Sequence, residues 1–487
     1  MRNIPILSLA LLGTPSLSET LNGTRIAHDL GSILSPKSSI YLPSDLHWAN
    51  ETTQRFNSWD APTYVVSVKP GLTEDAQKVV RYASHNNVSF LSTGKGHGYT
   101  GSLVTLQHGI ELDLGGFNTV SVDAKKNLLT IGGSVSFTDM MDQVYSAGKA
   151  MPVGGCSCVG VAGASLGGGI GFYSGFYGAI SDSLVSVEIV LANGSLVTAS
   201  KSENSDLFWA IKGAGANFGV VTSLTYQIYD SPNAGQVMNA DMTFPVDKNG
   251  TLWEFAQSWV GRQPKELSIS FSTDFNATTQ QLFILVNVIY AGSLSEGTPL
   301  IQPLLDLKPQ NTNISYLPWK YIPDTSNYGV PGKNCELAGL SFIPYSLNLY
   351  QIDVEALTAA INFLNHSIAT TPALQAFLVS FTQFSPYGFQ LYAESSSSFP
   401  FRDVVSYVQI EGIAFDPEVL PTIDAFGRSF RDLLQKSSWK DQLEVYTNFA
   451  HGDEGVAAWY TEANVPMLTE LKQRFDPNGL FSFYNPV

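Results

Sequence analysis

Pro152-Val-Gly-Gly-Cys156-Ser-Cys158-Val159-Gly160-Val161-Ala-Gly163-Ala-Ser-Leu-Gly167-Gly168-Gly169-Ile-Gly171-Phe172-Tyr173-Ser-Gly-Phe176-Tyr177 is the stretch on which the reading of this chain turns. Its glycines let the backbone take positive φ and lie flat against a ligand with no Cβ in the way. A thiol, Cys156, stands at the entrance, and Phe172, Tyr173, Phe176 and Tyr177 crowd the exit. No Gly-Lys-Ser/Thr follows, so this is not a Walker loop, and glycine spacing alone does not identify a dinucleotide. Taken alone, the stretch is equally a glycine-rich connection between strands.

A second stretch changes that balance. Ser92-Thr93-Gly94-Lys95-Gly96-His97-Gly98-Tyr99-Thr100-Gly101 follows the apolar run Val88 to Leu91, so it reads as a tight turn that leaves a strand and presents one imidazole. One loop offering His and another offering Cys are what a flavin held by two covalent links needs. The pair resembles the berberine-bridge-enzyme-like oxidoreductases of the vanillyl-alcohol-oxidase flavoprotein superfamily. There, a His in Gly-Gly-His-Ser-Tyr bonds a ring methyl of FAD, and a Cys in Cys-Pro-Thr-Val-Gly-x-Gly-Gly bonds the adjacent ring carbon. His97 falls on the first position and Cys156 on the second, with Cys158 two places off register. Asp206-Leu-Phe-Trp-Ala-Ile-Lys-Gly-Ala-Gly-Ala-Asn-Phe-Gly-Val-Val-Thr222 and Phe475-Asp-Pro-Asn-Gly-Leu-Phe481 extend the likeness over nearly the whole chain.

The resemblance implies an α+β fold: a two-domain flavoprotein of the PCMH type whose FAD-binding domain carries an α/β substrate domain, an antiparallel sheet covered by helices. The expected divisions are a leader at 1–18, an extension at 19–58, the FAD domain at 59–235, the substrate domain at 236–442, and a segment at 443–487 returning to the FAD domain. It implies bicovalent FAD through His97 and Cys156. The pyrophosphate is expected on the backbone of Ser92, Thr93, Gly94, Lys95 and Gly96, with Gly98 and Tyr99 beside it, a nest of N–H groups suited to an anion. Gly160, Val161, Gly163, Gly168 and Gly169 are expected to face the cofactor too. Gly219, Val220 and Val221 are expected on its adenosine side, and Asn448 is expected among the cofactor-binding residues. Val159, three places after the linking Cys, borders the oxygen pocket in relatives, where Val goes with oxidase behaviour; that implies molecular oxygen as acceptor and peroxide as product.

The base departs from the family. Plant relatives read Tyr-x-Asn-Tyr near the C terminus, and here the run is Tyr446-Thr447-Asn448-Phe449, whose Phe449 cannot take a proton. Relatives using a Glu place it before Phe-Pro-His-Arg; here Tyr387-Gly-Phe-Gln390-Leu391-Tyr392-Ala-Glu394 precedes Phe399-Pro-Phe-Arg402. Tyr446 and Tyr392 are the leading candidates, followed by Tyr99, Glu411 and Asp453. A phenol base needs neighbours that favour phenolate, since its reference pKa is about 10.

The chain has 487 residues, 44% of them hydrophobic, enough for a large core and more than one domain. A net charge of −16 with no long basic run makes nucleic acid and anionic membranes poor partners. No metal is expected, and the chain is expected to act as a monomer without membrane insertion. Three cysteines, Cys156, Cys158 and Cys335, are too few for a disulfide framework, and whether the last two pair is open. One positive charge, a short apolar run and Ser16-Leu-Ser18 open the chain like a secretory signal. Sequons at Asn22, Asn50, Asn87, Asn193, Asn249, Asn276, Asn313 and Asn365 fit an N-glycosylated, secreted protein.

The expected activity is an FAD-linked oxidase of a small organic substrate: a secondary metabolite, alcohol or phenolic. Two other readings stay open, a carbohydrate oxidase and a redox-neutral cyclase that keeps the flavin domain as scaffold. The aromatic, weakly charged substrate domain favours an apolar substrate, and the Pro-rich breaks from 299 to 345 are expected to be long surface loops.

Overall fold

A computed structural model describes residues 22–337 and 339–487; the leader reading falls on 1–18, outside the described residues. Val66, Val68, Phe90, Ile110 and Leu112 are branched or aromatic and buried, and they sit on three parallel strands, Tyr64–Lys69, Phe90–Thr93 and Gly109–Asp113. The helix Thr73–Asn86 crosses over between the first two and packs Val79, Val80 and Ala83 onto them. Leu72 stands at its N-cap position, and the helix ends on Asn87, whose φ of 51° is one that Asn tolerates. Because the strand carrying Ser92 and Thr93 points outward at its carboxyl end, the His97 loop emerges where parallel sheets leave a crevice.

A five-stranded antiparallel sheet follows, in the order Val120–Asp123, Leu128–Gly132, Val220–Gln227, Leu184–Val190, Leu196–Ser200. Helix Phe137–Ser146, started by a reciprocal Ser136/Asp139 capping box, buries Phe137, Met140, Met141 and Val144 against this layer.

The third sheet has seven antiparallel strands in the order Asn311–Pro318, Gln236–Pro245, Gln281–Tyr290, Leu267–Asn276, Phe377–Phe384, Ser406–Ala414, Ser341–Leu349. Its period-two pattern separates two faces. Ile269, Phe271, Val379, Phe381, Val408 and Ile410 pack with residues of the helices Asn249–Ser258, Val354–Thr370 and Leu420–Gln435. Ser270, Ser272, Ser380, Thr382 and Gln409 alternate with them and look the other way. The long loops expected from 299 to 345 are largely absent. Pro299 and Pro303 lie within a capped helix, Leu294–Asp306, a strand follows at Asn311–Pro318, and short helical turns run from Trp319 to Asn334.

From Val445 the chain rejoins the first half: Val445, Ala450, Trp459, Leu468 and Leu471 share a core with Leu207, Phe208 and Phe218. Asp476 is buried, takes Lys472 Nζ at 2.7 Å and caps Leu480 and Phe481 through their N–H groups, both at 2.8 Å. Lys472 also donates to Asn217 O at 2.8 Å. The Asp206 and Phe475 motifs therefore clamp the terminus onto the first domain.

Candidate active site

The two glycine loops abut. A Cβ at Gly160 would lie 3.5 Å from Lys95 Cγ and 3.8 Å from Lys95 N, ordinary contact distances that set the second loop directly beside the first. Gly96 has φ +69°, the left-handed region where glycine costs nothing, and this turn aims His97 inward. The imidazole stacks on Phe56 at 4.7 Å, and Phe56 stacks in turn on Phe342 of the substrate sheet at 4.6 Å. Burial, then the nearby Arg55 charge, lowers the His97 pKa to about 4. At neutral pH the ring is uncharged and keeps a nucleophilic nitrogen.

Cys156 is half-buried, and burial pushes its thiol up to about 11. Cys158 and Cys335 form a disulfide, which settles the pairing left open above and leaves Cys156 as the free thiol. That bridge ties the glycine loop to the segment after Trp319, which Asp241 anchors through Asn327 N at 2.7 Å. Val159 follows one turn later and is partly buried against the same core.

Facing these loops is the polar side of the seven-stranded sheet. Ser272, Ser380 and Gln409 are cross-strand partners, and Ser272 Oγ lies 3.0 Å from Ser380 Oγ. Gln409 Nε2 donates to Tyr99 Oη, a residue of the His97 loop, and to Glu411 Oε1 at 2.8 Å. Burial raises the Glu411 carboxyl to about 7, opposed by hydrogen bonds from Tyr99 and Gln409, and its charge acts on the Cys156 thiol. The substrate-side wall is thus more polar than composition suggested.

Several expected site residues lie elsewhere or serve packing. Tyr446 is 2% exposed, its hydroxyl accepts Asn448 Nδ2 at 2.7 Å, and burial raises its pKa, so it is a poor base. Asn448 also donates to Ala164 O at 2.9 Å, tying the C-terminal segment to the glycine loop. Tyr392 packs at the seam beside Tyr229, Asp182 and Arg402, with burial raising its pKa, and makes no hydrogen bond to the Tyr99 cluster. Glu394 is exposed, and Asp453 is engaged by Arg431 at 2.7 Å.

Gly168 and Gly169 are required by packing. Their φ values are +103° and +83°, and a Cβ would fall inside Phe399 or against Ile180. Gly163, by contrast, is exposed with open space around it. Val161, Val220 and Val221 have buried side chains, and a Cβ on Gly219 would strike Val190 O and Ile189.

A cavity of about 480 Å³ lies beside the His97 loop, lined by Gly94 and Lys95 and also by Thr52, Thr53, Lys69, Asp113, Asn118, Ser134 and Gln143. Its lysines are each held by a carboxylate, Lys95 to Asp139 at 3.1 Å and Lys69 to Asp113 at 3.4 Å. Beyond Gly94 and Lys95, which lie in the His97 stretch, these residues stand outside the motifs quoted above.

Residues 65–200 match a family model described as FAD binding domain, and residues 445–487 one described as berberine and berberine like. The FAD-linked oxidoreductase azaL of Aspergillus niger is 39% identical over 97% of this chain and 99% of its own, and tazL of Aspergillus terreus is 36% identical over 96% and 94%. This chain belongs to the berberine-bridge-enzyme-like FAD-linked oxidoreductases. Among solved structures, Physcomitrella patens BBE-like 1 superposes with a TM-score of 0.83 at 21% identity, covering 95% of this chain and 99% of that one. The xylooligosaccharide oxidase from Myceliophthora thermophila, solved with xylobiose, gives 0.80 at 22%, covering 96% and 99%. The protein is an FAD-dependent oxidoreductase of two-domain α+β fold. Its residues fit FAD: glycine-floored loops that approach without side chains, a polar cavity carrying two lysines, and an uncharged imidazole and a free thiol on the two abutting loops.

Proposed function

We propose that this oxidoreductase is a bicovalent FAD oxidase of a hydroxyl-bearing small organic molecule. The observation that carries the reading is the opposition of the His97 and Cys156 loops to the Ser272, Ser380, Gln409 row. Bound FAD supplies a two-electron acceptor. His97, uncharged in its apolar stack, and Cys156 are the two attachment atoms; Ser92 to Gly96 and the cavity beside them hold the phosphates. The polar row binds substrate hydroxyls, and Val159 borders the face open to molecular oxygen, the final acceptor, giving hydrogen peroxide.

The same row supports carbohydrate oxidation as the second reading, in line with the xylooligosaccharide oxidase of like fold. We place the protein on the secretory route as a monomer, with glycans at exposed sequons such as Asn87, Asn193, Asn276 and Asn313. Asn249 is excluded, being 2% exposed with its amide donating to Val246 O and Asn362 Oδ1. Acid-denatured protein tests the attachment: flavin absorbance stays with the chain in wild type and washes out only when His97→Ala and Cys156→Ala are combined. Oxygen uptake with alcohols, phenolics and oligosaccharides tests the substrate class, and uptake with none of them would end this reading.

A further inference from the structure

Oxidising an alcohol to a carbonyl releases one proton from oxygen as well as the hydrogen from carbon, and a group at the site has to take it. The aromatic candidates are not arranged for this: Phe449 has no proton-accepting atom, the Tyr446 hydroxyl is engaged by Asn448, and Tyr392 sits at the seam. The family's carboxylate position falls in the region of Gln390, Leu391 and Tyr392, and Glu394, further along, is exposed on a turn.

Glu411 is differently placed. It lies on Ser406–Ala414, between the strands Phe377–Phe384 and Ser341–Leu349, with Leu378 and Pro344 as its cross-strand partners. Two ladders therefore hold its backbone. Its side chain shares the face of Gln409, the face that meets the His97 loop through Tyr99, and it remains half-buried rather than sealed. The Gln409 amide donates to Glu411 Oε1 at 2.8 Å and to Tyr99 Oη, so one amide orients both groups. The titratable groups that face it are Tyr99, from the His97 loop, and Cys156, from the glycine loop; no cation acts on it among the described residues.

We propose that Glu411 accepts the proton of the substrate hydroxyl, with Gln409 and Tyr99 as positioning residues. The O–H bond would break toward the carboxylate, while FAD held by the His97 and Cys156 loops would supply the acceptor for the C–H hydrogen with its electron pair, leaving the carbon–oxygen bond as a carbonyl. The carboxylic acid then returns its proton to water. This rests on the alcohol-oxidase reading above and adds the residue that handles the proton. An amide and a phenol hydrogen-bonded to a carboxylate favour its ionised form, and burial favours the protonated form. The balance puts the group where it can take a proton and give it back near neutrality.

Two measurements on flavin-loaded protein test it. In pH-difference infrared spectra, without substrate, wild type should show carboxylic C=O intensity that titrates near pH 7, of which one component is lost in Glu411→Gln and kept in Glu111→Gln. In anaerobic stopped flow, with xylobiose and 4-hydroxybenzyl alcohol as probes, Glu411→Gln should slow flavin bleaching about 10²- to 10⁴-fold with the probe dissociation constant unchanged. Glu411→Asp should recover part of the rate, and Tyr99→Phe should move the pH profile. Flavin content and melting temperature of each variant establish that it is folded and loaded. Wild-type bleaching in Glu411→Gln, or titrating intensity that this variant leaves unchanged, overturns the inference alone. Bleaching by neither probe in wild type overturns the alcohol-oxidase reading, and the role of Glu411 falls with it.

Discussion

Cys156 Sγ lies 3.5 Å from Cys335 Sγ, although Cys335 is bonded to Cys158, whose own sulfur is 3.4 Å from the Cys156 thiol. The bridge thus decides which sulfur stays a free thiol, the one proposed to hold the flavin. With Cys158 removed, Cys335 has one sulfur within reach. Peptide mapping of Cys158→Ser should find a Cys156–Cys335 bridge and less flavin linked at Cys156; a free Cys335 would contradict this. Replacing Cys158 and Cys335 together by Ser should restore the link.

Arg402, 4% exposed, makes a fork on Asp182, Nη1 to Oδ2 and Nη2 to Oδ1, both at 2.9 Å. This joins the substrate domain to the FAD domain without water. Arg402→Met leaves a buried carboxylate unpaired and should cost about 3–5 kcal/mol, read by chemical denaturation. Adding Asp182→Asn should recover part of that loss, because the stranded charge goes with it.

Gly168 and Gly163 separate packing from cofactor contact. Gly168→Ala forces a Cβ into Phe399 at a φ of +103°, a strain of about 1–3 kcal/mol, and should lower the melting temperature. Gly163→Ala, in the helix Val161–Leu166 with open space around it, should leave stability nearly unchanged. A loss of flavin content in the second variant, without a loss of stability, would mark Gly163 as a contact to the ring.

Glu111 is 1% exposed, and burial raises its carboxyl from 4.5 to about 7 against the Ser67 hydrogen bond at 2.7 Å. Between those values the folded chain holds a proton that the unfolded chain has lost. Stability therefore falls as pH rises through that window and levels off above it. Glu111→Gln should flatten the curve and raise the melting temperature at pH 8 relative to wild type, measured by calorimetry on flavin-loaded protein. Glu411 titrates in the same direction and supplies the remaining slope.

Asn249 tests the export reading against the fold. Enzymatic deglycosylation with peptide mapping should find glycan at exposed sequons such as Asn276 and none at Asn249, whose amide is spent inside the substrate domain. A glycan at Asn249 would require that region to open.

Local chemistry was enough to read much of this molecule. Glycine turns announce themselves because only glycine takes their dihedrals without strain, so the His97 and Cys156 loops stood out. The apolar run Val88 to Leu91 marked the strand Phe90–Thr93 that leads into the His97 loop. The prolines at 299 and 303 misled, because a capped helix that packs Ile301 and Leu304 tolerates them. Which glycines touch ligand and which avoid Phe399 or Ile180 depends on neighbours far along the chain, invisible to local pattern. The same holds for the Cys158–Cys335 bridge and for the choice of Glu411 among the candidate bases, set by Tyr99 and Gln409 from different domains. Backbone preference is a property of near neighbours in the chain; the charge state of a buried carboxyl and the partner of a sulfur are properties of whatever packing brings beside them.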